Sequence, residues 1–222
     1  MVSQLAFALV LALLAGVNAF VATFVQLKNN STGAITEEQE RALVHDWFTE
    51  AFPSFPSYNL VHSPRLYKAY DGAQPNWVVV SGFTPNCISH ANLSIDSEAY
   101  TLVSSLSSPN LPSTNIKWLN PVQTTLKPIP GAGSEFERWY REEHTSLLSK
   151  IKGWVRGRNF HLASEIGERR RYLGVQELSD ETTIEEVVAS PEFEAAMTTP
   201  WREEIMKSWE ETISRIFEIE VV

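Results

Sequence analysis

Cysteine is nearly missing from this chain. Cys87 is the single one among 222 residues, so no intramolecular disulfide forms and no C-x-x-C metal or redox site exists. The role left for it is that of a small hydrophobic filler. Blocks of positive charge are missing too. Lys and Arg total 18 against 27 Asp and Glu, a formal net charge of −9. The densest basic stretch, Arg169-Arg170-Arg171, is flanked by Glu168 and Glu177. Such a surface offers no phosphate-binding face, and nucleic acid is not expected as a partner. H-x-x-x-H and H-E-x-x-H are absent, so no metal is expected. So are G-x-G-x-x-G, Walker-type and G-x-S-x-G loops, which removes nucleotide-binding and serine-hydrolase classes and leaves no cofactor expected. No apolar run reaches the ~20 residues of a membrane span, so none is expected.

What is present suits a folded chain: 43% of the residues are hydrophobic, enough for a real core. Leu5 to Val17 is a short uncharged apolar run, and Val17-Asn18-Ala19 has the small-x-small form of a signal-peptidase site. Residues 1–19 read as a signal-peptide-like segment, which predicts a secreted protein; a buried N-terminal helix in a cytoplasmic protein is the alternative. The triplets headed by Asn29, Asn30 and Asn92 are N-glycosylation acceptors that agree with secretion. Phe20 to Leu27 has strand composition and makes a natural mature start.

The chain repeats itself once. Glu40 to Phe55 aligns with Ser134 to Leu148 when Trp47 is set on Trp139, an offset of 92 positions (139 − 47). Phe48 then meets Tyr140; Tyr67 meets Phe160 and Tyr100 meets Phe193 at an offset of 93, and Trp77 meets Tyr172 at 95, which asks for two extra residues in one loop. A period of that length suits a duplicated small domain rather than a solenoid. Each copy opens with a helix, and Thr36 with Gln39, and Ser134 with Glu137, have the form of a capping box. Strands are predicted at 65–70, 77–83, 157–162 and 172–178. A second helix is predicted at Ser97 to Leu106 in the first copy. In the second copy, helices start at Ser190-Pro191 and Thr199-Pro200, the latter running towards Trp209. Phe217 to Val221 alternates as a strand. Pro128 to Gly133 is a short joint, which predicts packed halves at 20–127 and 128–222. The fold class expected is α+β: two βαββαβ halves closing as one intrachain barrel.

Trp139-Tyr140-Arg141-Glu142-Glu143-His144, with the Leu147 to Arg158 stretch after it, resembles the W-Y-x-x-E-H segment of EthD-type dimeric α+β barrel proteins, closest to their duplicated versions in fungi. The resemblance implies ferredoxin-like halves, and it implies activity on small aromatic or polyketide molecules: decarboxylation, cyclisation or oxygenase-related chemistry. Copy one departs from the motif, with Ala51 and Phe52 opposite Glu143 and His144. Any acid–histidine pair therefore belongs to copy two.

His144 is the leading candidate for chemistry, because an imidazole with pKa near 6.5 transfers protons both ways near neutrality. Glu143 would orient it, Tyr140 would donate a proton to an enolate oxygen, and Arg158 would receive an anionic oxygen. Tyr140, His144 and Leu148 share a helix face. The other reading of His144 is a ring stacked on the core and bonded to a backbone carbonyl. His161 points into the barrel if Phe160 and Leu162 face outwards; otherwise it faces solvent. Trp154 is a candidate for an aromatic ligand wall. The competing functions are a cofactor-independent proton-transfer enzyme acting on a small aromatic molecule, a non-catalytic barrel that binds a small apolar ligand, and an oxidoreductase or monooxygenase by family analogy. The protein is expected as a monomer or homodimer.

Overall fold

A computed structural model describes residues 19–27 (backbone alone at 19 and 20), 35–52, 64–72, 74–81, 91–110, 116–164 and 171–220. Residues 1–18 of the signal-like segment, Asn29, Asn30 and Cys87 lie outside them. In chain order the elements are β1 (Ala19–Leu27), α1 (Glu37–Ala51), β2 (Arg65–Ala69), β3 (Trp77–Ser81), β4 (Leu93–Ser107) and β5 (Ile116–Leu126). There follow α2 (Ala132–Trp139), a π-helical turn (Tyr140–His144), α3 (Thr145–Leu148), β6 (Trp154–Leu162) and β7 (Arg171–Ser179). The chain ends with α4 (Ile184–Val188), α5 (Pro191–Met197), α6 (Pro200–Met206), β8 (Trp209–Ser214) and β9 (Phe217–Ile219).

The strands form two antiparallel arrays of one order. β1 pairs with β3 and β4, and β3 with β2, giving β4-β1-β3-β2. β5 pairs with β7 and β8, and β7 with β6, giving β8-β5-β7-β6. β4 then pairs with β6, and β2 with β9. The ring β7-β6-β4-β1-β3-β2-β9-β5 closes through the β5–β7 pairing. The fold is therefore α+β, an antiparallel barrel of eight strands with helices outside it. β8 hangs on β5 beside the ring.

Strand alternation decides what fills the barrel. Tyr67, Tyr100, Leu119, Phe160, Leu173 and Phe217 turn inwards and form the central core. The opposite faces carry the helices. Under α1, Val44 and Trp47 pack on Leu66, Trp77 and Val79. The capping box at Thr36 is complete: its side chain accepts from the Gln39 N–H, and the Gln39 side chain accepts from the Thr36 N–H. No helix among the described residues is long and apolar enough to cross a membrane.

Several expectations are corrected. Ser97 to Leu106 is not a helix but part of β4. Leu102 packs at the barrel core and Val103 at a helix-side cluster, the two-residue period of a strand. Both edges of β4 are paired, with β1 and β6, and that ladder overrides local helix propensity. The stretch 116–129, which by sequence could hold the last strand of the first copy or the first of the second, contains β5, and β5 pairs only with later strands. Ser134 does not cap its helix, which starts earlier, at Ala132, with Gly131 as N-cap at φ 80°. The Tyr100–Phe193 correspondence fails because Tyr100 is on β4 and Phe193 on α5. α6 stops at Met206, and Trp209 opens a strand.

Candidate functional site

The site is built on a helix that lies unusually close to the sheet. A Cβ on Gly174 of β7 would come within 2.5 Å of the Tyr140 hydroxyl, and one on Gly157 of β6 within 2.7 Å of the Thr145 methyl. With glycine at both places, the stretch from α2 to α3 presses its aromatic face onto β6 and β7. Midway, the Thr145 N–H bonds to the Tyr140 carbonyl, a five-residue step that widens the helix by one residue. That step sets His144 over Trp139, with rings stacked 4.4 Å apart at 25°.

Beyond this face lies a cavity of about 370 Å³, enclosed by α2, the π turn, α4 to α6, β8 and the outer face of β5 and β7. Its wall is largely aromatic and aliphatic: Trp139, Tyr140, Trp154, Phe193, Met197 and Trp209. The polar groups reaching it include His144, Arg202 and Gln176. Size and composition match sites for small organic molecules. Trp154, expected as a ligand wall, is part of it.

His144 is held in its neutral form. Burial pushes its pKa down to about 3, the positive Arg202 adds to the fall, and a hydrogen bond to the Ala196 backbone opposes it. Nδ1 is shielded from solvent and has no hydrogen-bond partner among the described residues. The neutral ring keeps one nitrogen as an acceptor. The ring thus joins both sequence readings: it stacks on the core and bonds the backbone of Ala196, yet it also lines the cavity.

The groups expected around His144 are placed differently. Glu143 does not orient the imidazole. Its Oε1 accepts from the Trp139 indole at 3.2 Å and from the Thr199 hydroxyl at 2.5 Å, tying the π turn to the N-cap of α6. Tyr140 belongs to a buried relay: Trp154 Nε1 donates to Gln176 Oε1 at 2.8 Å, and Gln176 Nε2 donates to the Tyr140 oxygen at 2.7 Å. The Tyr140 proton is directed at the Arg158 carbonyl, 3.5 Å away. Burial pushes this hydroxyl well above its ordinary pKa, so it stays protonated.

Arg158 is on the other side of the sheet. It alternates into the barrel interior, where it donates to Glu177 at 3.1 Å beside Arg156. Burial alone would push Glu177 up, but Arg158 and Arg156 hold it below the usual carboxylate range. Arg158 therefore does not share a cleft with His144. Nor does His161 point into the barrel: Phe160 and Leu162 occupy the interior, so His161 faces outwards, with Nδ1 3.4 Å from the Leu162 carbonyl. Asn92 is exposed in the turn before β4. Among the described residues no group of three or more His, Cys, Asp and Glu is placed to hold a metal ion.

Sequence reasoning missed Arg202, and it read Thr199 as a helix start without its tie to Glu143. One signal was available. Arg202 lies in the first turn of α6, where the helix dipole disfavours a cation, so its charge needs another reason to be there.

No family model and no curated protein matches the sequence. Solved structures do share the fold. An anthrone oxidase-like protein superposes with TM-score 0.55 at 8% identity, covering 91% of this chain and 91% of its own. A proposed monooxygenase from Lactobacillus acidophilus gives 0.54 at 9%, covering 92% and 95%. A major regulator of staphylococcal pathogenesis gives 0.50 at 10%, covering 90% and 98%. At such identities the likeness is one of fold: ferredoxin-like α+β barrels.

Proposed function

We propose that this chain is an EthD-like enzyme that moves a proton on a small aromatic or polyketide-like molecule held between the helices and the sheet, with His144 Nδ1 as the proton acceptor. The observation that carries the reading is a neutral imidazole, stacked on Trp139, that lines an aromatic cavity and whose buried Nδ1 has no partner among the described residues. A buried acceptor without a partner is costly, by about 1–3 kcal/mol, unless something else supplies the hydrogen bond. A bound O–H or an acidic C–H supplies it. In the transfer the substrate's bond to hydrogen breaks, its electron pair stays on the enolate or phenolate oxygen, and the proton moves to Nδ1. The recurrence of one strand order in two arrays supports a duplicated origin, with the chemistry retained by the second.

A second reading, a ligand carrier without turnover, draws on Glu143. That carboxylate is engaged by Trp139 and Thr199 rather than by the imidazole, so no acid–histidine dyad raises the basicity of the ring. One experiment separates the two. Hydroxynaphthalenes and anthrone are offered in deuterated buffer, and exchange at acidic carbons is followed by NMR for the wild type and His144→Gln. The enzyme reading expects exchange that the variant loses by 100-fold or more. Equal exchange in both proteins sinks it, and binding without exchange favours the carrier.

A further inference from the structure

Among the described residues lining the cavity, one side chain carries a charge, and no described carboxylate balances it. Arg202 lines the cavity from the first turn of α6. Its Nη1 donates to the Met197 carbonyl at 2.9 Å, and its guanidinium carbon lies 5.6 Å from the Trp209 ring centre. Neither partner is anionic. Among the described residues no carboxylate pairs with the group, and burial lowers its pKa. The other arginines that reach into the fold differ. Arg156 and Arg158 hold Glu177, Arg171 holds Glu98, and Arg215 holds Asp71. Glu143, which reaches the N-cap of α6, accepts from Trp139 and Thr199.

A cation half-withdrawn from water beside an apolar wall, with unused donors, favours an anionic partner over a neutral one. Arg202 is flat and forked, and it already stands over an aromatic ring, so a planar molecule with a carboxylate or ionised phenol would continue the stack. The same charge disfavours the protonated His144. An anion on Arg202 would remove that repulsion and make Nδ1 a stronger base once the ligand is bound.

We propose that Arg202 selects the ligand: the cavity takes a monoanionic aromatic acid whose ionised oxygen pairs with the guanidinium while a hydroxyl or acidic C–H of the same molecule meets His144 Nδ1. This rests on the cavity reading above and adds the ligand's charge to it. Arg202 is a specificity residue here, and it also tunes His144 through its charge.

The test uses the full chain and two probes of one ring system: 1-hydroxy-2-naphthoate, anionic at pH 7, and 1-naphthol, neutral there. Affinities come from calorimetry. The wild type is expected to bind the acid at least tenfold more tightly than the naphthol. Arg202→Gln should remove that preference to within twofold, and Arg202→Lys should keep part of it. The wild type also gives a readout that needs no variant to fold. In nitrogen-15 NMR, the midpoint of His144 titration should rise by at least one pH unit with the acid bound and stay put with naphthol. Equal affinity of the wild type for both probes overturns the inference and spares the cavity reading. So does a preference that survives Arg202→Gln. Failure of both probes to bind overturns both.

Discussion

Trp47 and Phe52 on one helix are five residues apart, as are Trp139 and His144 on the other, and the two pairs end differently. At α1 the helix stops at Ala51, and Phe52 leaves it at φ −126° as the cap residue. Its ring meets Trp47 edge-on, with centres 6.1 Å apart, and both are buried in a cluster with Trp77 and Leu66. At α2 the π turn carries the helix past the same point. His144 stays inside it and lies flat on Trp139. The indole nitrogens differ as well: Trp139 donates to Glu143, whereas Trp47 Nε1 has no hydrogen-bond partner. One helical face is thus a plug and the other a wall. A single extra residue in a helical turn is what keeps a polar ring, with one nitrogen unused, at the edge of a cavity.

The largest test of that contrast is to remove each tryptophan. Trp47→Ala should cost about 3–5 kcal/mol of stability, because a densely packed cluster loses its centre. Trp139→Ala should cost measurably less, since its ring borders a space that already exists and fewer atoms lose a neighbour. Urea unfolding at pH 7.5 reads both. A Trp139 loss equal to or above that of Trp47 breaks the distinction between plug and wall.

Acid sharpens the same contrast. A free imidazole titrates near 6.5, while folded His144 is pushed down to about 3 by burial, with Arg202 adding to it. The unfolded chain therefore binds a proton that the folded one refuses. Stability from this group is complete above about pH 6.5 and drains away as the pH falls towards 3. Between pH 7.5 and 5 the loss should be roughly 1–2 kcal/mol. His144→Phe places at that position the residue type that α1 carries, and it should abolish this share of the acid sensitivity. If the variant's pH profile overlays that of the wild type between pH 7.5 and 5, the ring is not held neutral.

The smallest expected effect concerns the caps. Thr36→Val and Thr199→Val each remove an N-cap and should each cost about 1 kcal/mol. The Thr199 hydroxyl also donates to Glu143, so Thr199→Val alone should weaken the binding of aromatic probes, by a few-fold in calorimetry. Equal weakening by both variants would separate binding from the Glu143 tie.

The architecture was legible because barrels of this kind rest on patterns a sequence displays. Capping residues marked Thr36, Ser190 and Thr199, and alternation marked β1, β2, β6 and β7. What failed was long-range. β4 reads locally as helix and becomes a strand only between β1 and β6, partners the sequence does not announce. The site divides in the same way. His144 and Trp154 were visible as residue types on an aromatic helix face and the strand beneath it. Glu143 looked like a partner of His144 by adjacency, but a π turn changes which residues share a side, and its carboxylate reached α6 instead. Arg158 looked available because a charge on a strand carries no sign of which face it takes; a bulge at Val155 helps decide that. Arg202 arrives from α6, more than fifty residues after His144 (202 − 144), and only the folded chain brings it there.

The seam between β2 and β9 has a consequence for how the molecule comes into being. It joins Tyr67 to Ile219, positions 152 residues apart (219 − 67), and the opposite seam joins Tyr100 to Leu162. Both belong to one chain, so closure is unimolecular and dilution should leave the melting temperature unchanged. The same ring closes late, because the ordering entropy of so long a loop has to be met before any of its hydrogen bonds form. High contact order of this kind goes with slow folding. Until Phe217 reaches the core beside Tyr67, β2 is an open edge looking for a strand, and in a crowded refolding mixture the β9 of another molecule would fit it equally well.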